Sequence, residues 1–161
     1  MVMGVSGAGK STVGAALAER LCVSFADADS LHPEANVAKM AAGTPLTDDD
    51  RWPWLALVGQ ALASAEREGL VIACSALRRA YRDAIRAMAP TVQFVHLNVP
   101  AATLADRVAS RQGHFMPSSL LGSQLQLFER IETDEAGVTV DSDGGVEETA
   151  DAAAEMLSHL A

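Results

Sequence analysis

Near its beginning the chain reads Gly4-Val5-Ser6-Gly7-Ala8-Gly9-Lys10-Ser11, which matches the pattern G-x-x-x-x-G-K-[ST] in full. Glycines let a backbone turn its N–H groups inward around an anion, and a following helix adds its positive N-terminal end. In this pattern the lysine reaches the β- and γ-phosphates, and the hydroxyl serves Mg²⁺. The stretch therefore predicts a loop that binds a nucleoside triphosphate, formed by Gly4, Ser6, Gly7, Ala8, Gly9, Lys10, Ser11 and Thr12.

The flanks of this loop predict a strand before it and a helix after it. Residues 1–3 are apolar, and Val13, Leu17 and Leu21 follow at helical spacing. Only three residues precede Gly4, so either the first strand is very short or the sequence begins inside it.

The remainder of the chain alternates between strand and helix patterns. Further strands are predicted at 22–26, 70–74, 92–99 and 138–140, and helices at 33–42, 50–68, 79–88, 100–112, 119–130 and 147–160. Strands separated by helices imply a parallel sheet that is covered on both faces. We therefore predict an α/β fold of three layers, with a central parallel sheet of about five strands. Residues 1–161 are expected to form a single domain, with a helical lid at about 107–124.

Composition and charge narrow the function classes. Hydrophobic residues make up 49% and charged residues 20% of the chain, which is typical of a soluble globular protein. The net charge of -9 argues against binding to nucleic acid or to an anionic membrane surface. No apolar run reaches the roughly 18 residues of a membrane span, and no leader pattern is present, so we expect a cytoplasmic protein. The two cysteines, Cys22 and Cys74, suggest neither a disulfide framework nor a metal site.

Two carboxylates follow the second predicted strand. Asp27 and Asp29 lie two positions apart, so an extended backbone would point both side chains to the same side. They would also lie at the carboxyl edge of the sheet, beside the phosphate-binding loop. One of them can serve Mg²⁺, and the other can accept a proton from an attacking hydroxyl. Because the third strand ends in Cys74 and Ser75, without an aspartate, we assign the metal role to Asp27 and Ser11.

Two arginines precede a loop that is rich in glycine and proline. Arg107 and Arg111 are four residues apart on a predicted helix, so they share one face, and the loop at 113–117 follows. Two guanidinium groups on a flap can neutralise the charge that develops during phosphoryl transfer. We therefore predict catalytic roles for Arg107 and Arg111 beside Lys10 and Asp29.

Several longer strings resemble one family. The chain reads DADSLHP at 27–33, GTPLTDDDR at 43–51, PWL at 53–55, CSALRR at 74–79 and HFMP at 114–117. Together with the phosphate-binding loop, these strings are similar to the small bacterial type of gluconokinase, a P-loop kinase related in fold to shikimate and nucleoside-monophosphate kinases. The matches run in order over most of the chain. One departure is Arg78, which stands where this family usually has a lysine.

The resemblance implies transfer of a phosphoryl group from ATP, with Mg²⁺, to the 6-hydroxyl of D-gluconate. The guanidinium groups of Arg51 and Arg78 could then each bind the substrate carboxylate through two N–H groups. Asp29 would orient the reacting hydroxyl and accept its proton, and the remaining predicted substrate contacts are His32, His114 and Gln124. The alternatives are a kinase of another small hydroxy acid, such as shikimate, and a nucleotide-binding regulatory module without turnover. The sequence leaves the oligomeric state open, with a homodimer as one option.

Other conspicuous residues are expected to be structural. The acidic run Asp48-Asp49-Asp50 is typical of a helix N-terminus rather than of a metal site. We expect Trp52 and Trp54 to serve packing, and His96 and His159 to have no ligand role.

Overall fold

A sheet of five parallel strands forms the centre of the computed structural model, which describes residues 1–110 and 120–160. The strands are β1 (Val2–Met3), β2 (Ser24–Asp27), β3 (Leu70–Ala73), β4 (Phe94–Asn98) and β5 (Gly137–Asp141). Their order across the sheet is β2-β3-β1-β4-β5, and every neighbouring pair is parallel. The predicted parallel sheet is thus confirmed.

Helices cover both faces of this sheet. They are α1 (Lys10–Leu21), α2 (Glu34–Ala41), α3 (Asp48–Ser64), α4 (Arg79–Met88), α5 (Ala101–Ser110), α6 (Leu120–Leu127) and α7 (Val146–Ser158), with a short 3₁₀ helix at Ala28–Leu31. α1 and α7 pack together on one face, and α3 and α4 pack together on the other. This three-layer arrangement is the predicted one.

Alternation along the strands divides the interior into two cores. Val71 and Val95 face the core that α1 and α7 close, whereas Ile72 and Phe94 face the core that α3 and α4 close. Successive side chains of a strand point to opposite faces, so a sheet buried on both sides needs continuous apolar runs. The strand patterns of the sequence reflect this double burial.

The first strand is very short but lies at the centre of the sheet. Val2 pairs with Ala73 on one side and with Val95 on the other, and both residues of β1 are fully buried. Since all strands run the same way, the carboxyl ends of β1, β2 and β3 meet at one edge. The phosphate-binding loop and Asp27 are therefore neighbours in space.

Two element boundaries differ from the sequence-based prediction for local reasons. β2 begins at Ser24 rather than at residue 22, because Cys22 adopts a left-handed conformation (φ 53°) and its N–H closes the end of α1. α3 begins at Asp48 rather than at residue 50, because Thr47 and Asp50 form a reciprocal capping box. The acidic run is thus the first turn of a helix, as expected.

The cysteines and the tryptophans differ in their exposure to solvent. Both cysteines are free thiols, Cys22 exposed and Cys74 buried. Trp54 is buried, whereas Trp52 is exposed and touches Tyr81 edge-on. Within residues 1–110 and 120–160, no helix has the length and hydropathy that crossing a bilayer requires.

A buried ion pair anchors the segment that leads from α6 to β5. The guanidinium of Arg82 donates to both carboxylate oxygens of Glu135, at 2.6 and 2.8 Å, and neither side chain is exposed. It also donates to the carbonyl oxygens of Glu129 and Arg130. Because a buried charge needs hydrogen-bonding partners, this set of contacts fixes the segment that follows α6.

We expect His96 to make the fold less stable in mild acid. His96 lies on β4 stacked on Phe128, and burial, with the charges of Arg82 and Arg130, lowers its pKa to about 4. Between pH 6.5 and 4 the unfolded chain binds the proton first, so the free energy of unfolding should fall by about 1–3 kcal/mol as the pH drops. Urea unfolding at a series of pH values measures this. A His96→Gln variant should show a shallower dependence, and equal slopes would contradict the assignment.

Candidate active site

The phosphate-binding loop lies between β1 and α1 and leaves the helix N-terminus open. Gly7 and Gly9 adopt positive φ values of 83° and 92°, and a Cβ on Gly7 would lie 2.9 Å from a methyl carbon of Val108. Gly9 is the N-cap of α1, and no side chain caps this end of the helix. The loop is therefore a cradle in which backbone N–H groups and the helix dipole can hold an anion.

Two cavities meet at this loop. One is lined by Thr12, Arg107, Ser142 and Gly144, and the other by Lys10, Ser11, Asp27, Asp29 and Arg51, among others, while Gly7 and Gly9 line both. An enzyme that transfers a phosphoryl group needs a donor site and an acceptor site that share the position of that group. We expect the shared glycines to lie at this position, and on that expectation we call the first space the donor cavity and the second the acceptor cavity.

The carboxylates Asp27 and Asp29 line the acceptor cavity together, but not for the predicted reason. Strand β2 ends at Asp27, and Asp29 lies in the 3₁₀ helix rather than on an extended segment. The Asp27 carboxylate caps that helix by accepting from the Asp29 N–H at 3.0 Å, and it also accepts from the Ser11 hydroxyl. A tight helical turn, and not strand alternation, therefore brings Asp29 to the cavity.

Arg51 and Arg78 lie side by side, but only Arg51 is among the described residues that line the acceptor cavity. Both guanidinium groups lie over the Tyr81 ring, at 5.4 and 5.8 Å from its centroid, and both approach Asp48, at 3.5 and 3.3 Å. The Tyr81 hydroxyl in turn donates to Asp48. The cluster holds the Arg51 side chain, which is 16% exposed, in place at the cavity wall.

His32 lines the acceptor cavity with its ring stacked on Trp54. The ring centroids are 4.0 Å apart, and the Trp54 indole donates to the Ala28 carbonyl oxygen at 2.8 Å. Burial, with the positive charge of Arg51, lowers the pKa of His32 to about 4, so the ring is neutral at pH 7. Trp54 packs as expected, and it also fixes a cavity side chain.

The predicted lid residues fall into two groups. Arg107 donates to the carbonyl oxygens of Gly7 and Ser142, which places it on the donor cavity, and Gln124 on α6 accepts from the Ser6 N–H at 2.6 Å. Arg111 and His114, together with the whole predicted loop at 113–117, lie outside the described residues. Gln124, predicted to contact the substrate, does line the acceptor cavity and also links α6 to the phosphate-binding loop.

Reasoning from the sequence missed Asn36, Ser75 and Tyr81. Ser75 and Tyr81 line the acceptor cavity, while Asn36 is buried behind His32. Ser75 had a usable signal, because it follows a buried strand at the carboxyl edge of the sheet. Tyr81 and Asn36 had none, since helical tyrosine and asparagine residues are common and only tertiary contacts give these two a place.

The oxygen atoms beside the loop fit a magnesium ion better than a transition metal. Ser11 and Asp27 supply a hydroxyl and a carboxylate in direct contact. Over the described part of the chain, no group of three or more His, Cys, Asp or Glu side chains could hold a metal ion. Mg²⁺ is bound through one or two protein oxygens together with substrate phosphates, so a small donor set of this kind suits it.

Comparison with known proteins identifies the family. A family model described as an AAA domain matches residues 1–131. The gluconokinase of Gluconobacter oxydans is 49% identical over 142 residues, a match that spans 87% of this chain and 80% of that protein. The chain belongs to the gluconokinase family. This membership confirms the predicted resemblance and, with the sheet described above, the P-loop kinase fold.

Other members of the gluconokinase family agree with the match. The thermosensitive gluconokinase of Escherichia coli is 42% identical, over 86% of this chain and 75% of that protein. The crystal structure of a gluconokinase from Sinorhizobium meliloti superimposes with a TM-score of 0.90 at 50% identity, covering 99% of this chain and 91% of that one. The similarity in backbone structure therefore extends over nearly the whole chain.

Proposed function

We propose that this chain transfers the γ-phosphoryl group of ATP to the 6-hydroxyl of D-gluconate, which gives 6-phospho-D-gluconate and ADP. The observation that carries the proposal is the meeting of the two cavities at Gly7 and Gly9, with Asp29 and Arg51 on the acceptor wall. Membership of the gluconokinase family supports gluconate as the acceptor.

The donor half of the reaction uses the phosphate-binding loop. The open N-terminus of α1 and the loop N–H groups would hold the phosphates, and Lys10 would neutralise charge on the transferring group. Arg107 is proposed to act from the donor cavity, where it already contacts the loop backbone. We retain Arg111 as a second lid arginine and His114 as a substrate contact, as the sequence predicts.

Ser11 and Asp27 are proposed to hold the Mg²⁺ that accompanies ATP. When bound, this ion neutralises charge on the β- and γ-phosphate oxygens. The Ser11 hydroxyl donates to the Asp27 carboxylate, so both oxygens lie together beside the phosphate-binding loop. Because Asp27 also caps the 3₁₀ helix, it connects the proposed metal side of the site with the acceptor side.

The acceptor half of the reaction needs a base for the hydroxyl and a partner for the carboxylate. Asp29 is proposed to accept the proton of the 6-hydroxyl, since it is next to Asp27 and on the cavity wall. Arg51 is proposed to bind the substrate carboxylate, with Arg78 supporting it through the shared partners Asp48 and Tyr81. His32 and Gln124 complete the proposed polyol contacts.

The dependence of ADP release on the acceptor tests the proposal. We expect rapid ADP release with Mg-ATP and gluconate, and little with Mg-ATP alone or with shikimate. Release with shikimate but not with gluconate would favour a kinase of another hydroxy acid. No acceptor-dependent release at all would favour a nucleotide-binding module without turnover.

Arg51 should decide the preference for gluconate over glucose. The two acceptors share a 6-hydroxyl, but only gluconate carries a charge at carbon 1. Leaving a buried cation without its anion costs about 2–5 kcal/mol, and Asp48 at 3.5 Å compensates part of this cost. Because of this compensation the lower end of the range applies, and we expect a preference in kcat/KM of roughly 30-fold in the wild type.

The Arg51→Ala variant should reduce this preference to within about threefold, mainly by weakening gluconate. Arg67→Ala is the matched control, because Arg67 is exposed and lies on the turn after α3. A full gluconate preference in Arg51→Ala would assign Arg51 to a purely structural ion pair with Asp48.

The proposal also includes the cellular location and the partners of the protein. Consumption of ATP supports a cytoplasmic location, and the acidic net charge supports small-molecule substrates without nucleic acid or membrane partners. The single domain at 1–161, the lid at 107–124 and a homodimer remain predictions.

A further inference from the structure

We propose that Asn36 is a positioning residue that holds His32 in the tautomer with its hydrogen on Nε2, so that the ring offers an N–H donor to an oxygen of the acceptor. The inference rests on the proposed function only for the nature of that acceptor. Asn36 lies on α2, behind the ring, and is 4% exposed. Nothing about its position in the sequence marks it as part of the site.

The orientation of the Asn36 amide follows from its partner on α3. Its Nδ2 lies 2.9 Å from the backbone carbonyl oxygen of Asp50, which can only accept a hydrogen bond. The NH₂ group, and not the amide oxygen, must therefore face α3. This settles the assignment of oxygen and nitrogen, which is otherwise ambiguous in a side-chain amide.

The second hydrogen of the same NH₂ group then meets His32. Nδ2 of Asn36 lies 3.4 Å from Nδ1 of His32. A donor at this place requires a lone pair on Nδ1, so a neutral ring must carry its hydrogen on Nε2. A protonated ring would set two N–H groups against each other, which agrees with the low pKa of His32.

The contacts around His32 hold its ring in the position beside Asn36. The stack on Trp54 fixes the plane of the ring, with an interplanar angle of 17°. Asp50, which orients Asn36, is itself fixed by the capping box with Thr47. A chain of contacts from the start of α3 therefore reaches the cavity wall through Asn36 and His32.

The chemical consequence is that the Nε2 atom of His32 can only donate a hydrogen bond in the acceptor cavity. Asp29 can accept hydrogen bonds from hydroxyl groups, and Arg51 can donate to a carboxylate. A ring with its hydrogen on Nε2 adds a donor that recognises an oxygen lone pair of the polyol and cannot accept from a hydroxyl at that atom. Loss of such a bond to a neutral donor should raise the KM for gluconate by about tenfold.

The tautomer can be observed directly, without any substrate. In the full-length protein with ¹⁵N-labelled histidine rings, long-range ¹H–¹⁵N correlation at pH 7.5 distinguishes the two ring nitrogens, and His32→Gln assigns the signals. We expect a pyridine-type shift at Nδ1 and a pyrrole-type shift at Nε2 of His32. The reverse pattern, or averaged shifts, would overturn the inference.

Kinetics then separate positioning from general structural support. Asn36→Asp should place hydrogen on Nδ1 in the same spectrum and raise the KM for gluconate by about tenfold, with the KM for ATP within about twofold. In a His32→Gln background the same change should add less than about twofold, because the two residues act through one contact. Equal effects in both backgrounds would overturn the inference, and Asn36→Leu repeats the comparison if Asn36→Asp folds poorly.

Absence of gluconate turnover in the wild type would instead contradict the proposed function, whatever the tautomer of His32.

Discussion

Replacing Asp29 with asparagine should lower kcat for gluconate by roughly 10²- to 10⁴-fold, which is the usual contribution of a positioned general base. Asparagine keeps the size of the side chain but cannot accept a proton at neutral pH. The KM for ATP should stay within about threefold, because Asp29 lines the acceptor cavity and is not among the described residues of the donor cavity. Steady-state kinetics with each substrate varied in turn measures both quantities.

A matched control for this variant is Asp49→Asn. Asp49 is an exposed aspartate in the first turn of α3, where it contributes only a small favourable interaction with the helix dipole. Its replacement should leave kcat within about twofold. If Asp29→Asn remains folded and keeps near wild-type kcat, the proton must go elsewhere, and Asp29 is no more than a neighbour that Asp27 holds in place.

Replacing Lys10 with alanine should lower kcat by roughly 10²- to 10³-fold, as the loss of one group that stabilises transition-state charge does in other enzymes. Lys10 lies at the start of α1, and its ammonium group donates to the Val5 carbonyl oxygen at 3.0 Å across the loop. The group therefore already lies against the cradle that Gly7 and Gly9 form. Single-turnover kinetics with saturating Mg-ATP would isolate the chemical step from binding.

The chain offers one matched control, because Lys39 is its only other lysine. Lys39 forms a partly exposed ion pair with Asp50 on α3, and pairs of this kind contribute about 1 kcal/mol or less. Lys39→Ala should therefore keep kcat within about threefold. A folded Lys10→Ala variant with kcat close to that of Lys39→Ala would contradict the role of the loop in phosphoryl transfer.

The sequence predicts those parts of the fold and site that depend on local pattern. The phosphate-binding loop is a continuous motif, so its glycines and Lys10 can be assigned from the order of residues alone. The edge on which Asp27 lies follows from the rule that parallel strands end together. Both inferences need only the succession of elements along the chain, and both agree with the sheet that the structure shows.

The remainder depends on contacts between distant segments. Strand alternation predicts that Asp29 lies at the site, whereas a 3₁₀ helix capped by Asp27 is what brings it there. The cluster of Asp48, Arg51 and Tyr81 joins α3 to α4 across 30 or more residues, and the sequence pattern of neither helix reveals it. Asn36 reads as an ordinary helical residue until its two partners are known. These are tertiary contacts, and the local sequence pattern contains no signal for them.

The identity of the phosphorylated product shows whether this chain phosphorylates gluconate at the 6-hydroxyl. Wild-type protein would be incubated with Mg-ATP and gluconate, and the product examined by ¹H–³¹P correlation. We expect one new phosphomonoester whose phosphorus couples to the methylene protons of carbon 6, formed together with an equal amount of ADP. Phosphorus coupled to any other carbon, or ADP formed without a phosphorylated acceptor, would contradict it.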